Sequence, residues 1–191
     1  MTALWIGIIL FGGTHLFSIL MPGQRDALKA RLGEKAYKGI YAAATLVGLG
    51  FMIRGFLQSR SGPLAADWLY VPYDGARHIT MLFVLLAMIL IGASHGKGYI
   101  KSWVHNPMSL GIVLWAAGHL LANGKRADVY LFGTFLVIGL ADIFFSELRG
   151  KRPAHVPRLR SDIIAVVAGV ILYAVFLFGF HPYVLNLPVI Q

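Results

Sequence analysis

Residues 2–21 read TALWIGIILFGGTHLFSILM, twenty residues in which His15 is the one ionisable side chain. At 1.5 Å per residue, a helix of that length covers about 30 Å, the thickness of a bilayer's hydrocarbon core. The same pattern recurs along the chain. Apolar stretches of comparable length occupy Tyr37–Leu57, Ala76–Ser94, Trp103–Asn123, Ala127–Leu148 and Ile163–Tyr183. The third is the weakest, because its unbroken apolar run is only Ile79–Ala93. The expectation is an all-α, polytopic transmembrane bundle of about six spans, with five spans and one re-entrant segment as the alternative.

Composition agrees with that reading. Of 191 residues, 58% are hydrophobic and 13% charged, against roughly 25% charged in a soluble domain. Mean hydropathy is +0.71. One bundle would use the whole length, so residues 1–191 read as a single integral membrane domain. The net charge of +9 does not point to nucleic acid, because the basic residues sit in the short connections between apolar stretches.

Those connections alternate in charge. Arg25, Lys29, Arg31, Lys35 and Lys38 lie in the first, Lys97 and Lys101 in the third, and Arg149, Lys151, Arg152, Arg158 and Arg160 in the fifth. Arg54, Arg60, Arg77, Lys125 and Arg126 fall at the even-numbered connections. The positive-inside rule then places the odd connections in the cytoplasm and both termini on the outer side. No basic residue precedes the first span and no small-x-small site follows it, so it reads as a retained span rather than a signal peptide. Within Gln24–Ala36, Leu28 and Leu32 are four apart and flanked by cations. This fits either a short helix on the anionic inner leaflet or a plain basic loop. Gly39 with Ala43, and Ala44 with Gly48, have the spacing that lets membrane helices approach closely.

Ionisable groups inside a membrane are costly, and they usually face the bundle interior or a polar path. His15 has Gly12 and Ser18 three positions to either side, a small face that would admit a flat ligand. His119 has Trp115 four residues before it and Asn123 four after, on one helix face. Two imidazoles on different helices can form an axial pair for a non-covalent b-type haem, with His15 and His119 as iron ligands. Asn123, Trp115 and Asp142 are then candidates for supporting contacts, since a ligand's second nitrogen needs an acceptor. The plainer alternative is histidines that bond neighbouring helices. The rise per residue sets the two Cα atoms roughly 8–10 Å apart in depth. Asp142 falls near the depth of His15, where it suits a bond to a histidine, proton movement, or a helix-to-helix bond. Arg54 would snorkel. His78, His95, His105 and His155 lie at span ends or in a loop, and His181-Pro182-Tyr183 reads as interfacial packing or a lid.

The chain has no cysteine, which excludes disulfides, thiolate metal sites and covalently attached haem. It also lacks a Gly-rich phosphate loop, an H-E-x-x-H motif and a nucleophile elbow.

Two stretches carry a family resemblance: THLFSILMPGQRDALKARLGEKAYKGIYAAAT at residues 14–45 and NPMSLGIVLWAAGHLLANG at residues 106–124. With them the chain resembles the NnrU family of bacterial membrane proteins and, more distantly, zeta-carotene isomerase. The resemblance implies haem b on histidine ligands that align with His15 and His119. It also implies a link to nitrite and nitric oxide reduction and a place in the bacterial inner membrane. Where the family usually reads Arg-His-Pro, this chain reads His105-Asn106-Pro107, which withdraws the family histidine from its helix face. The resemblance implies haem-dependent redox, gas-sensing or isomerase-like chemistry on a hydrophobic small molecule. The alternatives are a non-enzymatic assembly or regulatory factor for denitrification enzymes, and a small transporter with Asp142 and the histidines as its polar path. No inverted repeat favours the transporter.

Overall fold

A computed structural model describes residues 1–187 and 189. Among them the regular structure is helical, with α1 (Thr2–Leu20), α2 (Pro22–Leu32), α3 (Glu34–Gln58), α4 (Ala76–Ser94), α5 (Tyr99–Val104), α6 (Pro107–Ala122), α7 (Arg126–Leu148) and α8 (Leu159–Ala174). The last helix runs without a break into a π-helical segment, Val175–Val184.

Among the described residues, five helices are long and apolar enough to cross a membrane: α1, α3, α4, α7, and α8 with its π-helical continuation. The short one is α6, at 16 residues, so the fourth span and not the third departs from expectation. Trp103 belongs instead to α5 and is 76% exposed. The break follows from Asn106-Pro107. Proline disfavours a helical residue before it, and it suits the first helical position. The Asn106 side chain accepts the Ser109 N–H at 3.3 Å and caps the new start. His105, with φ of 62°, makes the turn.

The bundle turns apolar side chains outward. Ile9, Leu46 and Ile171 are 68%, 67% and 59% exposed, and buried polar groups are few. A water-soluble fold does the reverse, so this surface fits a lipid bilayer.

Inside, helices meet backbone to backbone. A Cβ on Gly7 would lie 2.4 Å from the Met52 nitrogen, and one on Gly55 would lie 2.3 Å from the Leu4 nitrogen. These glycines set α1 against α3, around the buried Leu4 and Met52. Gly48 does the same against Phe11, whereas Gly39 faces open space. Of the two small-residue pairs seen in the sequence, only the second marks a helix contact. Gly169 of α8 meets the Ile89 backbone of α4 in the same way.

The segment expected at Gln24–Ala36 is the helix α2, two residues earlier at its start and ended by Gly33 at φ of 84°. None of its residues is buried, and Leu28 and Leu32 are exposed. At the same end of the bundle, the Asp162 carboxylate accepts the N–H groups of Tyr99 (2.8 Å) and Ile100 (3.2 Å), tying α5 to α8.

At the other end, the connection 59–75 folds over α6 and α7. Leu69 N–H donates to the Gly124 carbonyl at 2.8 Å, and the Tyr70 hydroxyl donates to the carbonyls of Leu120 and Asn123. Arg126 forks onto Asp67 at 2.8 and 3.2 Å. That guanidinium holds the Asp67 carboxyl below the usual carboxylate range. A carboxylate lowered on folding stabilises above its ordinary value of about 3.9 and loses that contribution as pH falls through the folded value. The clamp is therefore expected to loosen below about pH 4. Amide exchange at Leu69 and Tyr70, corrected for intrinsic rate, should rise between about pH 5 and pH 3. Asp67→Asn should show the raised exchange at both values. Flat exchange in the wild type would contradict the clamp.

Candidate functional site

The histidines inside the bundle share one arrangement. His15 Nδ1 lies 2.8 Å from the Phe11 carbonyl oxygen, and His119 Nδ1 lies 2.8 Å from the Trp115 carbonyl oxygen. A carbonyl can only accept, so Nδ1 carries the proton in both rings. Nε2 is left as a lone pair, the tautomer a metal requires. This bond arises because residues four apart share a helix face, and because the side chain leans toward its own preceding turn.

The two rings occupy different places. The His119 ring lies against Phe132 (centroids 4.5 Å, planes 26° apart) and Trp115 (4.9 Å). Phe132 is buried, so the wall on that side is fixed. The His15 ring lies against Phe11 (4.3 Å) and Tyr41 (5.6 Å). Between them runs a chain of rings: Phe11 meets Phe135 at 5.1 Å, and Phe135 meets Trp115 at 5.2 Å. Helix α7 packs against both α1 and α6, and no Cα of α1 comes within 8 Å of one in α6. The structure does not set His15 and His119 face to face.

What it does set near His119 is His181. The two ring centroids are 6.3 Å apart with planes 19° apart. His181 Nδ1 lies 2.8 Å from the Phe176 carbonyl oxygen, five residues back, in the register of a π-helix. It therefore shares the same tautomer and the same free Nε2.

The supporting residues separate into three roles. Trp115 serves His119 through both its carbonyl and its ring. Asn123 bonds the His119 main-chain carbonyl at 2.8 Å, not the imidazole, and so closes the end of α6. Asp142 bonds no histidine. Its Oδ2 accepts from Asn106 (2.7 Å) and the Ser109 hydroxyl (2.6 Å), joining α7 to the start of α6. Asn106 is thus a helix cap and an Asp142 partner. His105 pairs instead with Glu147 at 3.1 Å, and Arg152 reaches the same carboxylate at 2.8 Å. His155 bonds Ser102 and the Gly98 carbonyl in the connection before α8. Arg54, His78 and His95 are exposed. Among the described residues, no three His, Cys, Asp or Glu side chains gather to hold a bare metal ion.

A cavity of about 380 Å³ is lined by Tyr70, Val71, Pro72, Tyr73, Leu120 and Leu121. Its wall joins the folded-over connection to the two residues after His119.

The family model described as NnrU protein matches residues 3–189, nearly the whole chain, and the chain belongs to that family. No curated protein and no solved structure matches it.

Proposed function

We propose that this NnrU family member is a multi-pass protein of the bacterial inner membrane that binds haem b through histidine, with His119 as the principal ligand. One observation carries the reading. His119 keeps a lone-pair Nε2 on a ring packed against Trp115 and Phe132, with its Nδ1 proton fixed on the Trp115 carbonyl. Iron held by imidazole would supply one-electron chemistry or, with one position open, a seat for a gas or a double bond.

The chain's own residues do the rest. Trp115 sets the tautomer and the angle of the His119 ring. Phe132 and Phe135 exclude water from one side, which raises the cost of charge there and favours a neutral flat guest. The connection 59–75, pinned by Tyr70 and by the Asp67–Arg126 pair, covers the end of α6. A role beside nitrite and nitric oxide reduction, or isomerase-like chemistry on a hydrophobic small molecule, is what the family resemblance implies for such a site.

Haemin titrated into the detergent-purified chain should give a saturable Soret difference at one equivalent. Featureless, unsaturable uptake would sink the proposal. Asp142 acts in packing under this reading, not in tuning a ligand. Asp142→Leu strands the Asn106 and Ser109 donors and should cost about 1–3 kcal/mol of stability. The haem spectrum should be unchanged. A shifted Soret band in that variant would return Asp142 to the ligand's surroundings.

A further inference from the structure

We propose that the cleft where α1 and α3 part, beside α2, binds one anionic phospholipid, with its phosphate at Lys29 and Arg25 and an acyl chain along Gly13. The lipid would bind whether or not haem does.

The cleft lies where the close packing of α1 and α3 ends. The two helices touch backbone to backbone at Gly55 with Leu4, at Gly7 with Met52, and at Gly48 with Phe11. Further toward α2 that contact is lost: a Cβ on Gly13 or on Gly39 would meet nothing within 4 Å. A cavity of about 400 Å³ opens there, walled by Ile9, Gly13 and Phe17 of α1, Ile40 and Ala44 of α3, and Leu28 of α2. Its volume falls in the range of small-ligand pockets, roughly 300–1,000 Å³, and these walls are apolar.

Charge at the α2 end is the second ground. Residues 24–38 hold five cations against two carboxylates. Both carboxylates are engaged, Asp26 with Arg25 at 2.9 Å and Glu34 with Lys38 at 2.6 Å. Lys29 has no ion-pair partner among the described residues. Residues four apart share a helix face, so Arg25 and Lys29 stand together. Both are half-buried, whereas Arg31 and Lys35 are exposed. The Lys29 Nζ lies over the Tyr37 ring, 5.6 Å from its centroid, and Tyr37 lines the cleft. A cation without a carboxylate therefore stands at the wall of an apolar cavity.

The third ground is the same tyrosine. Its hydroxyl is buried with no hydrogen-bond partner among the described residues. A buried donor costs free energy unless an acceptor reaches it. A lipid phosphate or glycerol-ester oxygen is such an acceptor, and Lys29 on the same ring would hold it by charge. Apolar walls, a cation and an unmet donor together describe an amphiphile with a negative head. The positive-inside rule sets this basic connection against the inner leaflet, where anionic phospholipids supply that molecule. An acyl chain gains little by leaving the bilayer for the cleft, because lipid is as apolar as these walls. Selectivity must come from the head group.

The test titrates the delipidated full chain in detergent with phosphatidylglycerol or phosphatidylcholine, read by native mass spectrometry. One phosphatidylglycerol should bind ahead of the rest, and phosphatidylcholine should show no such first site. Lys29→Gln should weaken that site about five-fold, the worth of one cation beside an anionic lipid. Arg31→Gln, on the exposed side, should weaken it far less. Gly13→Leu fills the cleft with every cation kept and should remove the first site, and Ala44→Leu should do the same from the facing helix. Equal binding of the two lipids overturns the proposal. So does a loss in Arg31→Gln as large as that in Lys29→Gln, the mark of diffuse surface attraction. Full first-site affinity in both filled variants, with helix content unchanged, places the lipid outside the cleft and overturns it too.

Discussion

His119→Ala is expected to abolish specific haem binding, with the affinity falling by at least about 100-fold. Loss of a group that merely orients a metal ligand costs about 10–100-fold, and loss of the ligand itself costs more. The His119 ring packs against Phe132 and Trp115, which also touch each other at 5.1 Å. Alanine removes the donor and leaves both aromatic walls, so apolar haemin could still adsorb weakly. The measurement must therefore separate a sharp, saturable Soret band from a broad background. His119→Gly with added imidazole should restore part of the band, because free imidazole can occupy the space the side chain leaves. Full Soret intensity in His119→Ala, with helix content unchanged by circular dichroism, would remove His119 from the site.

The second large effect is structural. Gly55→Leu is expected to drive α1 away from α3 and lower stability by about 3 kcal/mol or more, the upper end for overpacking. A Cβ at that position would sit 2.3 Å from the Leu4 nitrogen and 2.6 Å from its Cα. Those are backbone atoms, so no rotamer change relieves the clash, and the helices must separate or shift. Lipid offers little hydrophobic drive to hold helices together, so close backbone packing carries much of the association. In thermal unfolding this would appear as a midpoint roughly 6–12 °C lower. Gly39→Ala is the control. It has no neighbour within 4 Å, and alanine favours helix by about 1 kcal/mol over glycine, so it should be neutral or stabilising. An unchanged midpoint for Gly55→Leu would mean that α1 and α3 do not pack as described.

Much of the helical frame is legible in the sequence because membrane spans are written in composition. α4 runs Ala76–Ser94, the same bounds as its apolar stretch. The break at His105–Asn106 was hidden because Trp103 and Val104 extend the apolar run of α6, and hydropathy does not register chain direction. The local cue was present in Asn106-Pro107, a capping residue followed by a proline at the first helical position. The glycines behaved the same way: spacing alone marked Gly39 and Gly48 alike, and only the packing of α1 separates them.

Of the candidate site, the sequence marks single residues and not their arrangement. The imidazoles of His15 and His119 stand out as ionisable groups in apolar helices, and the structure gives both the tautomer a metal needs. Which pair faces which is a tertiary fact. α7 inserts Phe135 between the His15 and His119 sides of the bundle, and no pattern within α1 or α6 announces it. His181 had only the neighbouring proline to mark it, and sequence spacing places it at a span end rather than against α6. Its approach to His119 depends on the register of α8 and on the change to π geometry after Ala174.

The central claim is tested most directly by the absorption spectrum of the chain purified from haem-replete cells with no haem added, taken oxidised and then reduced. About one haem per chain, with a Soret band that shifts on reduction and is missing from His119→Ala, is the predicted result. A wild-type spectrum that shows protein absorbance alone would contradict it.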